Sequence, residues 1–279
     1  MSASRRDIGD GRAASRSAST NAKPRPKSSA RAPARGSSNR SNAARVPHLP
    51  DLSQYGRLAE YRAKRRFDVT PEPPPAMPGS RGARPLAFVV QKHRAGHLHY
   101  DFRLEHEGVM LSWAVPKGPA PDPSVKRLAM QTEPHPLDYN LFEGVIPEGE
   151  YGGGTVMIWD RGTWKPESDD VDCALARGDL KFRLHGKKLH GSWVLVRTRD
   201  RTWLLIKHRD EFASTEDLTV TKPLSVVSRR TLAGIARAAG ASARQLEQAA
   251  GADPPRPARG AATAAEPAPS RLARAARPR

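Results

Sequence analysis

Residues 97–104, HLHYDFRL, alternate apolar and polar side chains with a period of two. Side chains on a strand point to opposite faces in turn. Leu98, Tyr100, Phe102 and Leu104 therefore form a core face, and His99, Asp101 and Arg103 a polar one. The polar row sets an imidazole, a carboxylate and a guanidinium side by side. A satisfied surface network has this composition. So does a hydrolytic phosphate site, in which metal ligands stand beside a phosphate-binding cation. His93 precedes His99 by six residues, at the end of the previous apolar run.

Working outward, further strand-like runs cover residues 86–92, 108–115, 127–132, 154–162, 179–186, 191–199 and 202–208. Glycine-, proline- and charge-rich segments separate them, as turns require. With 98–104 this makes about eight strands and no 12-residue helix between them. The pattern predicts an all-β domain, a compact antiparallel β-barrel that is closed or nearly closed, with a sandwich as the alternative. All five tryptophans, at 113, 159, 164, 193 and 203, fall inside it. Residues 51–67 carry helix-like apolar spacing and predict a short N-terminal helix. Residues 71–85 hold too much proline for regular structure. Residues 231–250 are alanine-rich and predict a surface helix. The expected organisation is a disordered basic arm over 1–49, the barrel over 50–222, and a linker-like helix with a basic Pro/Ala/Arg tail over 223–279.

Charge follows the same division. The chain of 279 residues carries a net +18. Residues 1–46 contribute 11 Lys/Arg against 2 Asp/Glu, and residues 229–279 contribute 10 against 3, so residues 47–228 are left at net +2. Basic arms attract a polyanion through counterion release without reading its sequence; solubilising low-complexity arms are the plainer reading. One cysteine, Cys173, excludes an intrachain disulfide. No run of eighteen apolar residues is present, so no membrane span is expected. The basic N-terminus lacks the apolar stretch of a secretory signal. A cytoplasmic, nucleoid-associated monomer is expected.

His93, His99 and Asp101 are the candidate metal ligands. Two imidazole nitrogens and a carboxylate suit Mn²⁺, Zn²⁺ or Fe²⁺ and leave positions open for water and substrate. A pair of ordinary hydrogen-bonded histidines beside a surface acid is the alternative. Arg103 is placed to take two oxygens of a phosphate, or to pair with Glu105 or Glu107. In 132-TEPHPLDY-139 two prolines hold the chain extended or turned, which can aim His135 and Tyr139 inward. A histidine there would contact a phosphoryl group or protonate a leaving oxygen, and a tyrosine hydroxyl would hydrogen-bond a phosphate oxygen. The glycine-rich 148-EGEYGGGT-155 lacks the lysine of a phosphate-binding loop and reads as a tight turn. The acids at 170–172 read as a solvated turn.

Three segments, 91-QKHRAGHLHYDFRLEHEGVMLSWAVPKGP-119, 133-EPHPLDYNLFEGVIPEGEYGGGTVMIWDRGTW-164 and 203-WLLIKHRDEF-212, together resemble the 3′-phosphoesterase domain of bacterial DNA ligase D. The likeness runs over about residues 61–212, and the combination HxxxxxHxDxR, HPLDY and EGxIPEGxYGxG is specific. The resemblance implies a β-barrel that heals DNA 3′ ends in nonhomologous end joining. It implies a manganese-dependent enzyme that removes a terminal ribonucleoside and then the remaining 3′-phosphate, leaving a 3′-hydroxyl. Other divalent transition metals such as Zn²⁺ or Co²⁺ are alternatives. It assigns His93, His99 and Asp101 to the metal, Arg103 and His135 to the phosphate, and Tyr139 to the active site. Glu72, Gln91, Lys117, Arg127 and Glu133 match further polar positions of the family site.

The chain departs from the family at Arg66, where an acid often precedes the phenylalanine, and at His97, where arginine is common. It holds no KxDG adenylation motif, and its length leaves no room for a polymerase. A stand-alone end-healing enzyme is therefore expected, acting on DNA with 3′-phosphate or 3′-ribonucleotide ends. A separate DNA ligase or polymerase, or a Ku-type end-binding protein, is its expected partner. A non-catalytic DNA-end binder or scaffold is the alternative.

Overall fold

In the computed structural model, residues 53–75 and 84–255 are described. The whole of the expected N-terminal arm (1–49) and most of the Pro/Ala/Arg tail lie outside them. Nine strands form one sheet: β1 (Leu86–Arg94), β2 (Leu98–His106), β3 (Val109–Val115), β4 (Lys126–Pro136), β5 (Gly144–Ile146), β6 (Gly154–Pro166), β7 (Asp179–His185), β8 (His190–Arg199) and β9 (Thr202–Lys207). Their order is β1-β2-β3-β4-β9-β8-β7-β6-β5, and an antiparallel β1–β6 pairing closes the ring. Eight strands thus make the closed barrel, as the strand count predicts, and β5 adds to β6 outside the ring. Closure leaves the eight without a free edge.

Local sequence explains the tight connections. The β2–β3 hairpin turns on Glu107 and Gly108, both with positive φ (46° and 78°), which is the two-residue turn whose twist matches the strands. Inside the ring pack Phe88, Val90, Tyr100, Phe102, Leu104, Trp113, Trp159, Trp164, Trp193 and Trp203. The apolar face expected for residues 98–104 is therefore the barrel lining from Tyr100 to Leu104.

Helices cover the outside. A 3₁₀ turn (Ser53–Leu58) runs into α1 (Ala59–Ala63) and packs on β4. The acids at 170–172, expected as a solvated turn, instead begin α2 (Val171–Arg177): Asp170 accepts from the Cys173 amide at 2.9 Å and caps it, and Gly178 (φ 78°) ends it. After α3 (Leu218–Thr221), the single helix expected over 231–250 is two, α4 (Leu232–Ala238) and α5 (Ala243–Ala252), broken at Gly240 (φ 67°).

These two helices are not a loose linker. Leu232, Ile235, Ala236 and Ala249 join the barrel's own apolar cluster. The Asp253 carboxylate accepts from the first amides of α4, Leu232 and Ala233, at 2.9 and 3.0 Å. Buried Lys92 of β1 donates to Ala252 O at 2.7 Å. The alanine-rich composition hid this, because small side chains bury by close approach without a strong apolar signal. Leu232→Ala should cost about 2–5 kcal/mol in denaturant unfolding. Val227→Ala, at a half-exposed site, should stay within about 0.5 kcal/mol. A silent Leu232→Ala would show that α4 unfolds separately from the barrel.

Candidate active site

The outward face of β1 and β2 carries the polar row. Register pairs His93 with His99, Gln91 with Asp101 and Val89 with Arg103, so the alternating positions of both strands stand together. Val89, Met110 and Ile158, with Leu137 and Val226 against them, seal one side of this face. The roof comes from residues 61–72 and from the 3₁₀ turn Leu137–Leu141. A cleft of about 250 Å³ remains, bounded by Arg65, Glu72, His93, His99, Asp101, Arg103, Glu133, His135 and Tyr139.

Asp101 Oδ2 is the centre of the row. It lies 3.4 Å from His93 Nδ1, 3.7 Å from His99 Nε2 and 3.2 Å from Arg103 Nη2. Burial works against the charge of Asp101, but Arg103 and the two imidazoles hold its carboxyl well below the usual range. Backbone carbonyls fix both rings. His93 Nε2 is 2.9 Å from Gly152 O, and His99 Nδ1 is 3.0 Å from His97 O. A carbonyl only accepts, so those nitrogens carry the protons. The second nitrogens, His93 Nδ1 and His99 Nε2, face the Asp101 carboxylate, and without a metal that contact favours a shared proton: although burial opposes it, Asp101 raises the pKa of His99. Three potential ligand atoms thus converge within 4.8 Å, where a metal ion can take the place of the proton. Carbonyl-oriented imidazoles beside a carboxylate are how a metal's ligands are held, so this donor set fits a divalent transition ion. The other trio of this kind among the described residues, His106, Glu107 and Asp172, differs. Glu107 and Asp172 are exposed, His106 Nε2 is 3.0 Å from Asp172 and Glu107 pairs with Arg57, so this trio is a surface cluster outside the cleft.

Arg103 is 2 % exposed and anchored three ways. Nε donates to Gln91 Oε1 at 2.9 Å, Nη1 to Ser112 Oγ at 2.8 Å, and Nη2 faces Asp101. A guanidinium has five N–H groups, so two remain for a ligand. Its plane also lies over the Tyr139 ring, 4.8 Å from the centroid. Gln91 is held in turn by donating to Tyr139 O and Phe142 O at 3.1 and 2.9 Å.

His135 reaches the same cleft through a bulge. Ser112 pairs with Thr132, but Met110 pairs with His135, so β4 carries one extra residue in that interval. The extra residue lets both Thr132 and His135 face the cleft, and Pro134 sits where a ladder hydrogen bond is already broken. His135 Nδ1 is 2.9 Å from Glu133 O, and Nε2 is 3.2 Å from Arg65 Nη2. Arginine only donates, so Nε2 accepts and the ring is neutral. Burial, reinforced by Arg103 and Arg65, pushes its pKa well below the ordinary histidine value.

Arg65 ties the roof to the barrel. It donates to Glu72 at 2.8 Å and to Glu133 at 3.3 Å. Glu72 also accepts from Tyr139 Oη at 2.9 Å and Thr70 Oγ1 at 2.9 Å. Burial and the Glu72 charge keep the Tyr139 hydroxyl protonated, its pKa well above normal.

Of the residues expected in the site, His93, His99, Asp101, Arg103, His135, Tyr139, Glu72, Gln91 and Glu133 come together. Lys117 and Arg127 do not. Lys117 is exposed in the β3–β4 connection, and Arg127 shares the opposite face of β4 with Ala129. Arg66 is exposed and pairs with Glu150 on the glycine-rich turn. His97 lies in the β1–β2 turn and acts on His99 through its carbonyl. Arg65 and Ser112 were missed. Arg65 sits in a run of four cations in five residues that reads as a solvated face, whereas Ser112 interrupts an apolar run and was a usable signal.

Residues 91–197 match the model of the DNA Ligase D 3′-phosphoesterase domain. The multifunctional non-homologous end joining protein LigD of Pseudomonas aeruginosa is 53% identical over 182 residues, covering 63% of this chain and 22% of that protein. The corresponding protein of Mycobacterium bovis is 46% identical over 153 residues, 53% of this chain and 19% of that one. That of Mycolicibacterium smegmatis is 40% identical over 160 residues, 56% and 21% respectively. The chain spans about a fifth of the length of these curated relatives.

The His135 assignment has a direct spectroscopic consequence. Nitrogen-15 NMR of the metal-free protein should show His135 as the neutral Nδ1–H tautomer at pH 6.5 and well below. Because its folded pKa is depressed, the unfolded chain takes up this proton first, so this group lowers stability as pH falls through the ordinary histidine range. A ring that protonates near pH 6.5 would contradict the Arg65 contact.

Proposed function

Since residues 91–197 belong to the DNA ligase D 3′-phosphoesterase family, we propose that the chain is a metal-dependent phosphoesterase acting on DNA 3′ ends. In this reading it removes a 3′-terminal ribonucleoside, then the remaining 3′-phosphate, and leaves a 3′-hydroxyl for end joining. The observation that carries the proposal is the convergence of His93 Nδ1, His99 Nε2 and Asp101 Oδ2 beside an arginine with two uncommitted N–H groups.

His93, His99 and Asp101 would hold the ion, with Mn²⁺ as the proposed cofactor and Zn²⁺ or Co²⁺ as substitutes. A bound divalent ion supplies positive charge for phosphoryl oxygens and acidifies water. Arg103 grips the phosphate through its two remaining donors and is kept from swinging by Gln91, Ser112 and Asp101, so the charge it offers is preorganised. Arg65 adds a second cation across the cleft, held by Glu72 and Glu133. His135 has no proton to give outward, since its one N–H serves Glu133 O. This favours a neutral acceptor that orients Arg65 over a general acid. Tyr139 directs its proton to Glu72 and so braces the Arg65–Glu72 pair, with its ring beneath Arg103.

In the diesterase step the water oxygen bonds to phosphorus while the bond to the nucleoside 5′-oxygen breaks, and the strand keeps the phosphate. In the monoesterase step the bond to the strand's 3′-oxygen breaks and inorganic phosphate leaves. The substrate is DNA with a 3′-phosphate or 3′-ribonucleotide end. A separate ligase or polymerase, or a Ku-type end-binding protein, is the proposed partner, in the cytoplasm at the nucleoid. A non-catalytic end binder would have no use for two carbonyl-oriented imidazoles converging on a buried carboxylate.

A primer-template bearing a 3′-phosphate, incubated with and without Mn²⁺, tests this. His99→Ala and Asp101→Ala should each abolish turnover and weaken Mn²⁺ binding measured by calorimetry. Arg103→Ala should cut turnover by roughly two or more orders of magnitude while Mn²⁺ still binds. Absence of a 3′-hydroxyl product from the unaltered chain at every metal concentration would sink the assignment.

A further inference from the structure

Tyr151 is the aromatic side chain of the cleft that the proposed chemistry leaves unused. It bounds the same cavity as His93, Asp101 and Arg103, yet 47% of it is exposed. An aromatic ring at the mouth of a phosphate site exposes costly apolar area unless something covers it in the working state.

The ring stands on a turn built not to move. Gly153 N donates to Glu150 O at 2.9 Å, and Glu150 N to Pro147 O at 3.3 Å. Gly152 has φ 76°, and a Cβ on Gly153 would come within 2.7 Å of Pro147 O, so both positions need glycine. α5 clamps the turn from behind: buried Gln245 donates to Ile146 O at 2.9 Å, and Ser242 Oγ to Glu148 at 2.5 Å. Arg66 holds Glu150 from the roof. The next residue, Gly152, supplies the carbonyl that orients His93. The ring is therefore fixed one residue from the groups that flank the reacting phosphate.

Two cations dress it. Lys64 Nζ is 4.9 Å from the ring centroid and the Arg65 guanidinium 5.2 Å, and Lys64 also donates to Tyr151 Oη at 3.4 Å. Lys64 and Arg65 are themselves held by Glu133. An aromatic ring on a rigid turn, with cations over it and about half its surface still open beside a phosphate pocket, has the composition of a single-strand stacking platform.

We propose that Tyr151 is a nucleobase-binding subsite, on which the base of the 3′-terminal nucleoside stacks while its phosphate occupies the Arg103 side of the cleft. The inference rests on the proposed 3′-end phosphoesterase activity. Stacking accepts any base, so the subsite favours an end that carries a base over an abasic end, without sequence preference.

The test compares two Mn²⁺-loaded reactions of the full chain on primer-templates ending in a 3′-phosphate, one with a normal terminal nucleoside and one with an abasic terminal sugar. Tyr151→Ala should raise KM for the normal end roughly tenfold, as loss of one base–aromatic stack implies, with kcat changed much less. On the abasic end Tyr151→Ala and the unaltered chain should match. Tyr151→Phe and Tyr151→Trp should restore the preference. Calorimetric Mn²⁺ affinity of Tyr151→Ala should equal that of the unaltered chain, which separates stacking from support of His93. Equal KM for all variants on the normal end, or an equal loss on both ends, would overturn the subsite. If the unaltered chain turns over neither substrate, the phosphoesterase assignment fails. Anisotropy of the same two oligonucleotides then decides the subsite by itself: a Tyr151-dependent preference for the base-bearing end supports it, and none overturns it.

Discussion

Asp101 keeps a negative charge in the barrel wall although only 6% of it is exposed. Burial alone would drive its proton back on, so the charge survives only because Arg103 and two imidazoles face it. The rest of the site follows from that requirement. Arg103 has to be buried to reach Asp101, and a buried guanidinium has to spend its donors, which it does on Gln91 and Ser112. Gln91 then has to bind the carbonyls of Tyr139 and Phe142, which fixes the turn that roofs the cleft. A single carboxylate on β2 thus organises β1, β3 and the segment after β4. Removing it would leave Arg103 buried without its counter-charge, a change of the kind that costs about 3–5 kcal/mol.

The roof repeats the logic with opposite sign. Arg65 arrives from the N-terminal helical segment and is neutralised by Glu72 beside it and Glu133 on β4. Cations and carboxylates alternate across the cleft, and His135 lies between Arg65 and Arg103, where a further positive charge is least favourable. The field that would hold an anionic phosphate is the same field that keeps this histidine neutral. α4 and α5 extend the framework, since they pack into the barrel's cluster and clamp the turn that carries Gly152.

Period-two alternation made β2 and its two faces legible in the sequence, because one face had to be apolar and the other carried three adjacent functional groups. The eight ring strands were legible for the same reason. Arg65 was not, because two of its partners, Glu133 and His135, are 68 and 70 residues away and nothing local separates it from solvated neighbours in AKRRF. His135 was visible as a candidate, but its orientation depends on a bulge that only the β3 register reveals. Lys117 and Arg127, matched to the site by resemblance, lie apart from it, and spacing along a strand gave no reason to place them there. α2 was read as a turn because its cap and first-turn acids outweighed its few apolar residues. The α4–α5 pair was read as a linker because alanine buries without announcing itself.

The account stands most directly on which nitrogen of each histidine takes the ion. Crystals of the protein grown with Mn²⁺, with anomalous diffraction recorded at the manganese edge, would locate the ion to the atom. The structure predicts one strong peak bonded to His93 Nδ1, His99 Nε2 and Asp101 Oδ2, with Gly152 O and His97 O still on the opposite ring nitrogens. A peak held by other residues, or one reached through His93 Nε2 with the Gly152 contact broken, would contradict it.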